Sequence, residues 1–320
     1  MKRHPFLSLT SLLESEKRLP RRWGRVFVLA LLLLFFAQVM TAAMRTSLTS
    51  DEGPQVTSGY AYLKTGDMHL IEFDGHPPLA KILNALPLML VPDLGSPADV
   101  PSWRSEDPIS LVWVTQEFLY PYRPLDRLVI AARVPVMLWG IVLAALVYRW
   151  ATDLFGPLGG LGALVLVVFD PNLLAHAGLA TNDIAVTTAS LAALFTFWRF
   201  MRFLSCRHYG TRRYRRVLGH ALLAGVTLGV AQSTKLNALL LLPVEAALAL
   251  IQSVWQVHVA EAHTDGRWNE RLRSYFSSLM FYVVRHSFLV WLIAGLTLWA
   301  SYGFEFRTLP IGLLLGRMLP

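Results

Sequence analysis

The residues best suited to chemistry begin with a pair of adjacent carboxylates, Asp51 and Glu52, directly after a long apolar run. Such a pair can supply a general base with a supporting acid, or ligands for a metal ion. Spacing alone favours a simpler interpretation, in which the acids cap a helix and lie at the positive end of its dipole. Asp183 follows Thr181 and Asn182 before another apolar run. Helix capping and a functional role are equally compatible with that position.

Three cations lie at the boundaries of apolar segments: Lys81, Arg133 and Lys235. Ionisable residues near or within membrane segments are functional candidates by default, and a cation can bind a phosphate through charge-assisted hydrogen bonds. The alternative for each is a side chain that snorkels to the membrane interface. His76 lies five residues before Lys81, whereas His176 stands alone in its loop. No cluster of histidines or cysteines has the spacing of a tight metal site.

The composition indicates that these residues are held by membrane helices. Of the 320 residues 54% are hydrophobic and 16% are charged, with a mean hydropathy of +0.46, whereas soluble domains contain about 25% charged residues. The net charge of +8 does not indicate a nucleic-acid partner, because the excess lies in short loops between apolar runs. Cys206 is the single cysteine and forms no intramolecular disulfide. The sequence has no phosphate-binding loop, dinucleotide fingerprint or serine elbow.

The apolar runs predict an all-α polytopic membrane protein with about seven transmembrane helices. The first run is longer than the ~7–15 residues of a signal-peptide core, so we predict an uncleaved helix over residues 23–44. The other predicted helices are 128–150, 157–170, 184–201, 217–232, 236–254 and 288–303. Residues 79–90 are apolar but too short to span a bilayer. They predict a helix lying at the interface.

The charges of the loops predict the orientation. Residues 1–22, together with Arg25, carry seven Lys and Arg and are predicted to be a cytoplasmic segment, followed by a transmembrane domain over residues 23–320. The first extracytoplasmic loop, 45–127, holds six Lys and Arg against eleven Asp and Glu. The segment 199–216 holds seven Arg and no acid, as a cytoplasmic loop would. The candidate site residues then gather at the extracytoplasmic face.

The order of these motifs resembles a known family. Asp51 and Glu52 after the first helix are followed by Ser-Gly-Tyr at 58–60, His-Pro-Pro-Leu at 76–79, the stretches 170–176 and 181–183, Ser-Thr-Lys at 233–235 and Tyr-Gly-Phe-Glu at 302–305. This set is similar to bacterial relatives of protein O-mannosyltransferases and lipid A aminoarabinose transferases. Those enzymes have the GT-C fold and use polyprenyl-phosphate sugars.

The resemblance implies a role for each residue. Asp51 would act as general base, Glu52 would position it, and Asp183 would be the second acid. The donor phosphate would be held by Lys81, Arg133 and Lys235, with His76, Asn182 and Glu305 as further site candidates. No cofactor follows with certainty, and a divalent cation is an open alternative. The expected partners are a polyprenyl-phosphate-linked hexose or pentose, an acceptor of unknown class (protein, lipid or polysaccharide), and membrane lipids.

Two other functions compete with an inverting glycosyltransferase. Members of the family usually carry more transmembrane helices than the seven predicted here, which favours a non-catalytic assembly subunit that works with another membrane chain. The retained Asp51, Glu52, Asp183 and Lys235 argue against that alternative. A transporter of lipid-linked sugars would place its charges near the bilayer midplane. It ranks last, because the charges here gather at one face.

Overall fold

The fold is a bundle of α-helices. The computed structural model describes residues 21–105, 107, 109–204, 211–261 and 287–304. Glu305, Cys206 and residues 1–20 lie outside the described residues. The helices are α1 (Arg21–Ala43), α2 (Glu52–Thr65), α3 (His69–Asp74), α4 (Leu79–Ala85), α5 (Ser110–Phe118), α6 (Leu125–Val168), α7 (Pro171–Ala177), α8 (Asp183–Leu204), α9 (Thr211–Thr234), α10 (Leu241–Glu261) and α11 (Ser287–Ser301). Short 3₁₀ segments cover Leu86–Leu90, Pro97–Asp99, Pro101–Arg104 and Leu236–Leu240. The prediction of an all-α polytopic membrane protein is confirmed.

Within the part of the chain that the structure describes, five stretches are long and apolar enough to cross a bilayer: Gly24–Ala43, Leu125–Val168, Asp183–Phe203, Arg215–Thr234 and Leu236–Trp255. A crossing helix needs roughly 20 residues, because each adds about 1.5 Å to its length. The apolar helix Ser287–Ser301 is shorter. Large apolar side chains remain exposed along α1, among them Leu29 and Leu33. Lipid is the natural solvent for such a surface.

The longest helix, α6, is two helices joined at a sharp break. Gly156 has φ +79°, a left-handed conformation that favours glycine, and Pro157 then opens the second arm. A Cβ atom added to Gly160 would overlap the Thr152 hydroxyl and crowd the carbonyl of Tyr148. The two arms therefore lie side by side and run in opposite directions. Each arm coincides with one of the helices predicted separately over 128–150 and 157–170.

Small residues let α9 pack closely along two neighbours. Its contacts with α8 bury Phe197, Phe200 and Leu228 in one apolar cluster. On its other side, Gly225 and Gly229 face α11 so closely that a Cβ on either would overlap that helix. Glycines four residues apart commonly allow such an approach between membrane helices. The pairing brings the end of α11 to the end of the bundle where α9 finishes.

The predicted loop 45–127 is a packed cap of short helices at the end of the bundle where α1 finishes and α8 begins, which we call the site end. α2 packs across α4, α5 and α3. Gly59 of α2 touches the backbone of Lys81, since a Cβ there would overlap the Lys81 carbonyl. The ring of Tyr60 stacks on Phe118 at 5.6 Å, and its hydroxyl donates to Gly95 O over 3.2 Å. The cap therefore fixes α2 and α4 relative to the membrane helices.

Candidate functional site

The centre of the site end is a buried ion pair between Glu52 and Arg133. Arg133 Nε donates to Glu52 Oε1 and Nη2 donates to Glu52 Oε2, both over 2.7 Å. Both side chains are 0% exposed. A planar guanidinium that meets a carboxylate through two parallel hydrogen bonds is the strongest form of this pair. It joins the start of α2 to α6 across 81 positions of sequence.

Arg133 also caps the C-terminal end of α1 through hydrogen bonds to backbone carbonyls. Its Nη1 donates to the carbonyls of Ala43 at 2.8 Å and Thr46 at 2.9 Å, and Nη2 donates to Ser47 O at 2.9 Å. With the two bonds to Glu52, these contacts use all five N–H groups of the guanidinium. The role predicted for Arg133 was binding the donor phosphate. In this structure the side chain has protein partners for every donor.

Glu52 is held as a carboxylate by its surroundings. Burial would raise the pKa of Glu52, but the hydrogen bonds from Arg133 and from the backbone amides of Ala180 and Thr49 outweigh it, so the pKa lies below its ordinary value. The Ala180 amide donates to Oε1 over 2.7 Å, and the Thr49 amide donates to Oε2 over 2.9 Å. The Ala180 contact ties the loop before α8 to the same carboxylate.

Asp51 lies directly beside this pair but faces solvent. It occupies the N-cap position of α2, yet its side chain makes no capping hydrogen bond. Ser50 Oγ donates a long hydrogen bond to Asp51 Oδ1 over 3.4 Å. The carboxylate is thus exposed while the next residue is rigidly anchored. The Asp51 carboxylate, which can accept a proton, is therefore held at a fixed position on the cap.

A second charged group joins α8 to the residue that follows α9. Lys235 Nζ lies 2.7 Å from Asp183 Oδ1, and the side chains are 28% and 45% exposed. The other oxygen, Asp183 Oδ2, lies 4.0 Å from His176 Nδ1. Asp183 is the first residue of α8 and pairs with the lysine in addition to facing the positive end of the helix dipole. His176, which stood alone in the sequence, belongs to this group.

Two further predicted residues, Lys81 and Asn182, are buried. Lys81 is 0% exposed, and its Nζ contacts the carbonyls of Ile71 at 3.3 Å and His76 at 3.4 Å. Asn182 is 2% exposed, and neither its side-chain oxygen nor its nitrogen has a hydrogen-bond partner among the described residues. Glu305 lies outside the described residues.

The structure shows two kinds of polar group that the sequence patterns did not predict: backbone amides that bind Glu52, and a buried carboxylate within the membrane-spanning region. Backbone amides of Ala180 and Thr49 bind Glu52, and no side-chain pattern signals such donors. Glu245 is a further ionisable residue that was not among the predicted site residues: it is 0% exposed within the membrane-spanning stretch Leu236–Trp255. Its presence inside an apolar run was the available signal, since intramembrane carboxylates are rare. Across the described residues, no three side chains of His, Cys, Asp and Glu are grouped as a metal site.

The fold and the site together define a polytopic membrane protein with a charged site at one end of its helix bundle. Residues 28–302 match the family described as dolichyl-phosphate-mannose-protein mannosyltransferase. The chain belongs to this family, and it is a membrane glycosyltransferase of the class that uses polyprenyl-phosphate sugar donors. No curated protein matches the chain significantly.

Proposed function

We propose that this protein transfers a sugar from a polyprenyl phosphate to an acceptor hydroxyl at the extracytoplasmic face, with Asp51 as the general base. The observation that carries the proposal is the exposed Asp51 carboxylate beside the buried Glu52–Arg133 pair. The acceptor oxygen attacks the anomeric carbon while its proton passes to Asp51. The bond from that carbon to the phosphate oxygen breaks, and polyprenyl phosphate leaves with the electron pair. The configuration at the anomeric carbon inverts.

Lys235 is the proposed ligand of the departing phosphate. An ammonium group has three N–H donors, and Asp183 takes one of them at 2.7 Å. Of the three cations predicted for this role, Lys235 has a partly exposed side chain, whereas Lys81 and Arg133 are 0% exposed. A cation placed where negative charge develops lowers the barrier to its departure. Asp183 would orient the lysine, and Glu52 would hold the backbone that carries Asp51.

Replacing Lys235 with Gln is expected to raise the apparent KM for the donor lipid by about one to two orders of magnitude, because a charge-assisted hydrogen bond contributes roughly 1.5–3 kcal/mol. The measurement is initial transfer rate against concentration of polyprenyl-phosphate mannose, the sugar that the family description names. Lys64→Gln is the matched control, since Lys64 is an exposed lysine of the cap that packs over the Tyr60 ring. An unchanged KM in the Lys235 variant would place the phosphate elsewhere.

The orientation of the site is tested by thiol labelling. Ala98 is exposed in the cap, so Ala98→Cys is expected to react with a membrane-impermeant maleimide on intact cells. The native Cys206 is expected to react only after the cells are permeabilised. The reason is the charge bias of the loops: eleven acids in 45–127 against seven arginines and no acid in 199–216. The parent chain provides the control for Cys206. Labelling of Cys206 on intact cells, with no labelling of Ala98→Cys, would show that the site faces the cytoplasm.

A further inference from the structure

The end of the bundle opposite Asp51 carries a cluster of aromatic rings and arginines. On α8, the guanidinium of Arg202 lies 4.8 Å from the ring centre of Trp198, and that of Arg199 lies 5.6 Å from the ring centre of Phe195. Trp150 of α6 joins the cluster, with its ring 5.6 Å from Phe195 and 6.0 Å from Trp198. The two arginines are therefore stacked on a shared aromatic platform that two helices build. Stacking restricts the rotation of each guanidinium.

The sequence around the end of α8 and the start of α9 is rich in arginine. The segment 199–216 holds seven arginines and no acid. α9 begins inside it, and its first turn contains no acid, although a helix N-terminus favours negative charge. Arg215 and Arg216 are exposed, at the end of α9 that packs beside the end of α8. Arg215 and Arg216 therefore add exposed positive charge at the same end as the aromatic platform, and positive charge attracts anions.

We propose that the cluster of Trp150, Phe195, Trp198, Arg199 and Arg202 binds the phosphate of an anionic phospholipid in the membrane leaflet at that end. Arginine presents paired N–H groups that fit phosphate oxygens, and tryptophan favours the boundary between acyl chains and headgroups. Basic sites between membrane helices bind such headgroups. The cluster lies near the end of α8 at Leu204 and near the break in α6 at Gly156, and the ends of membrane-crossing segments lie at the depth of the headgroups.

The general excess of Lys and Arg on the cytoplasmic side of membrane proteins also accounts for arginines at this end, but it requires no particular geometry of their side chains. A diffuse attraction depends on the number of charges, whereas a built site depends on the platform as well. Trp198 separates the two explanations: replacing it with Leu keeps every charge and removes the surface against which Arg202 lies. Arg149 also separates the two explanations, because replacing it removes a charge at this end and leaves the aromatic platform intact. It is an arginine at the same end, and Asp153 already pairs with it at 3.0 Å.

The test measures the phosphatidylglycerol that remains bound to the purified full chain after exchange into phosphatidylcholine nanodiscs. The double variant Arg199→Gln with Arg202→Gln is expected to retain roughly 30-fold less at equal lipid concentration, since each cation near an anionic surface contributes about fivefold. Trp198→Leu is expected to lose part of the binding, and Arg149→Gln to match the parent. Thermal melting in pure phosphatidylcholine shows whether each variant remains folded.

Three results would overturn the proposal. Equal retention by the double variant and the parent would remove the two arginines from lipid binding. A loss in Arg149→Gln as large as in the double variant, with no loss in Trp198→Leu, would show a diffuse charge effect. Displacement of phosphatidylglycerol by an equimolar amount of polyprenyl phosphate, but not by cardiolipin, would assign the cluster to the donor lipid's phosphate and not to a diacyl phospholipid.

Discussion

Asp51→Asn is expected to lower kcat by roughly 10²–10⁴-fold while leaving the KM for the donor lipid near the parental value. The amide has the size of the carboxylate but cannot accept the proton that the acceptor hydroxyl loses. Helix capping predicts little effect, because Asn caps a helix about as well as Asp. The structure adds that the Asp51 side chain makes no capping hydrogen bond. A loss of fold is therefore not expected from this change.

The assay follows transfer of radiolabel from polyprenyl-phosphate mannose, and the release of polyprenyl phosphate, in membranes with matched expression. Asp126→Asn is the control, since Asp126 is an exposed acid at the same end of the bundle, in the first turn of α6. Near-parental turnover in the Asp51 variant would remove it from the mechanism. An inactive parent chain, in contrast, would favour the non-catalytic assembly subunit over the enzyme.

Glu52→Gln is expected to reduce the free energy of unfolding by about 3–5 kcal/mol, because it leaves the Arg133 guanidinium buried and uncompensated. Arg133 is 0% exposed, so water cannot replace the lost carboxylate without rearrangement. Activity is expected to fall with stability, since the pair holds the residue next to Asp51. Denaturant unfolding in detergent micelles at fixed composition measures the change in stability.

The double variant Glu52→Gln with Arg133→Met is expected to be more stable than Glu52→Gln alone, because it removes the unpaired charge. Arg127→Gln is the matched control: it removes an exposed arginine from the same helix, and a surface change of this kind stays within about 0.5 kcal/mol. If Glu52→Gln is as stable as Arg127→Gln, the pair does not stabilise the fold.

The stability that the Glu52–Arg133 pair contributes is expected to decrease at acid pH. The folded pKa of Glu52 lies below the ordinary value of 4.5, so the folded state binds its proton less readily than the unfolded state. The stabilisation is complete above the unfolded pKa and is lost as the pH falls through the folded pKa. We therefore expect the stability difference between the parent and Glu52→Gln to be constant near neutral pH and to shrink in acid.

The sequence by itself determined the long apolar helices of this protein. A membrane helix satisfies its own backbone hydrogen bonds and needs only an apolar run of sufficient length. That local rule placed the bounds of α1 and α8 within about three residues of those observed, whereas α9 begins about six residues before its predicted start. It also separated the two arms of α6, because Gly156 and Pro157 form a break that can be read from the chain. The family motifs likewise follow from order along the chain.

Only the tertiary structure decided which charged residues meet. In the sequence, Lys81, Arg133 and Lys235 are equivalent cations at the edges of apolar runs. The fold buries Arg133 against Glu52 across 81 positions and leaves Lys235 partly exposed with Asp183 across 52. Hydropathy fixes a helix but leaves open its rotation and its neighbour, which depend on side-chain packing across the bundle. The separation of an anchored Glu52 from an exposed Asp51 therefore arises from packing, since in sequence the two carboxylates are neighbours.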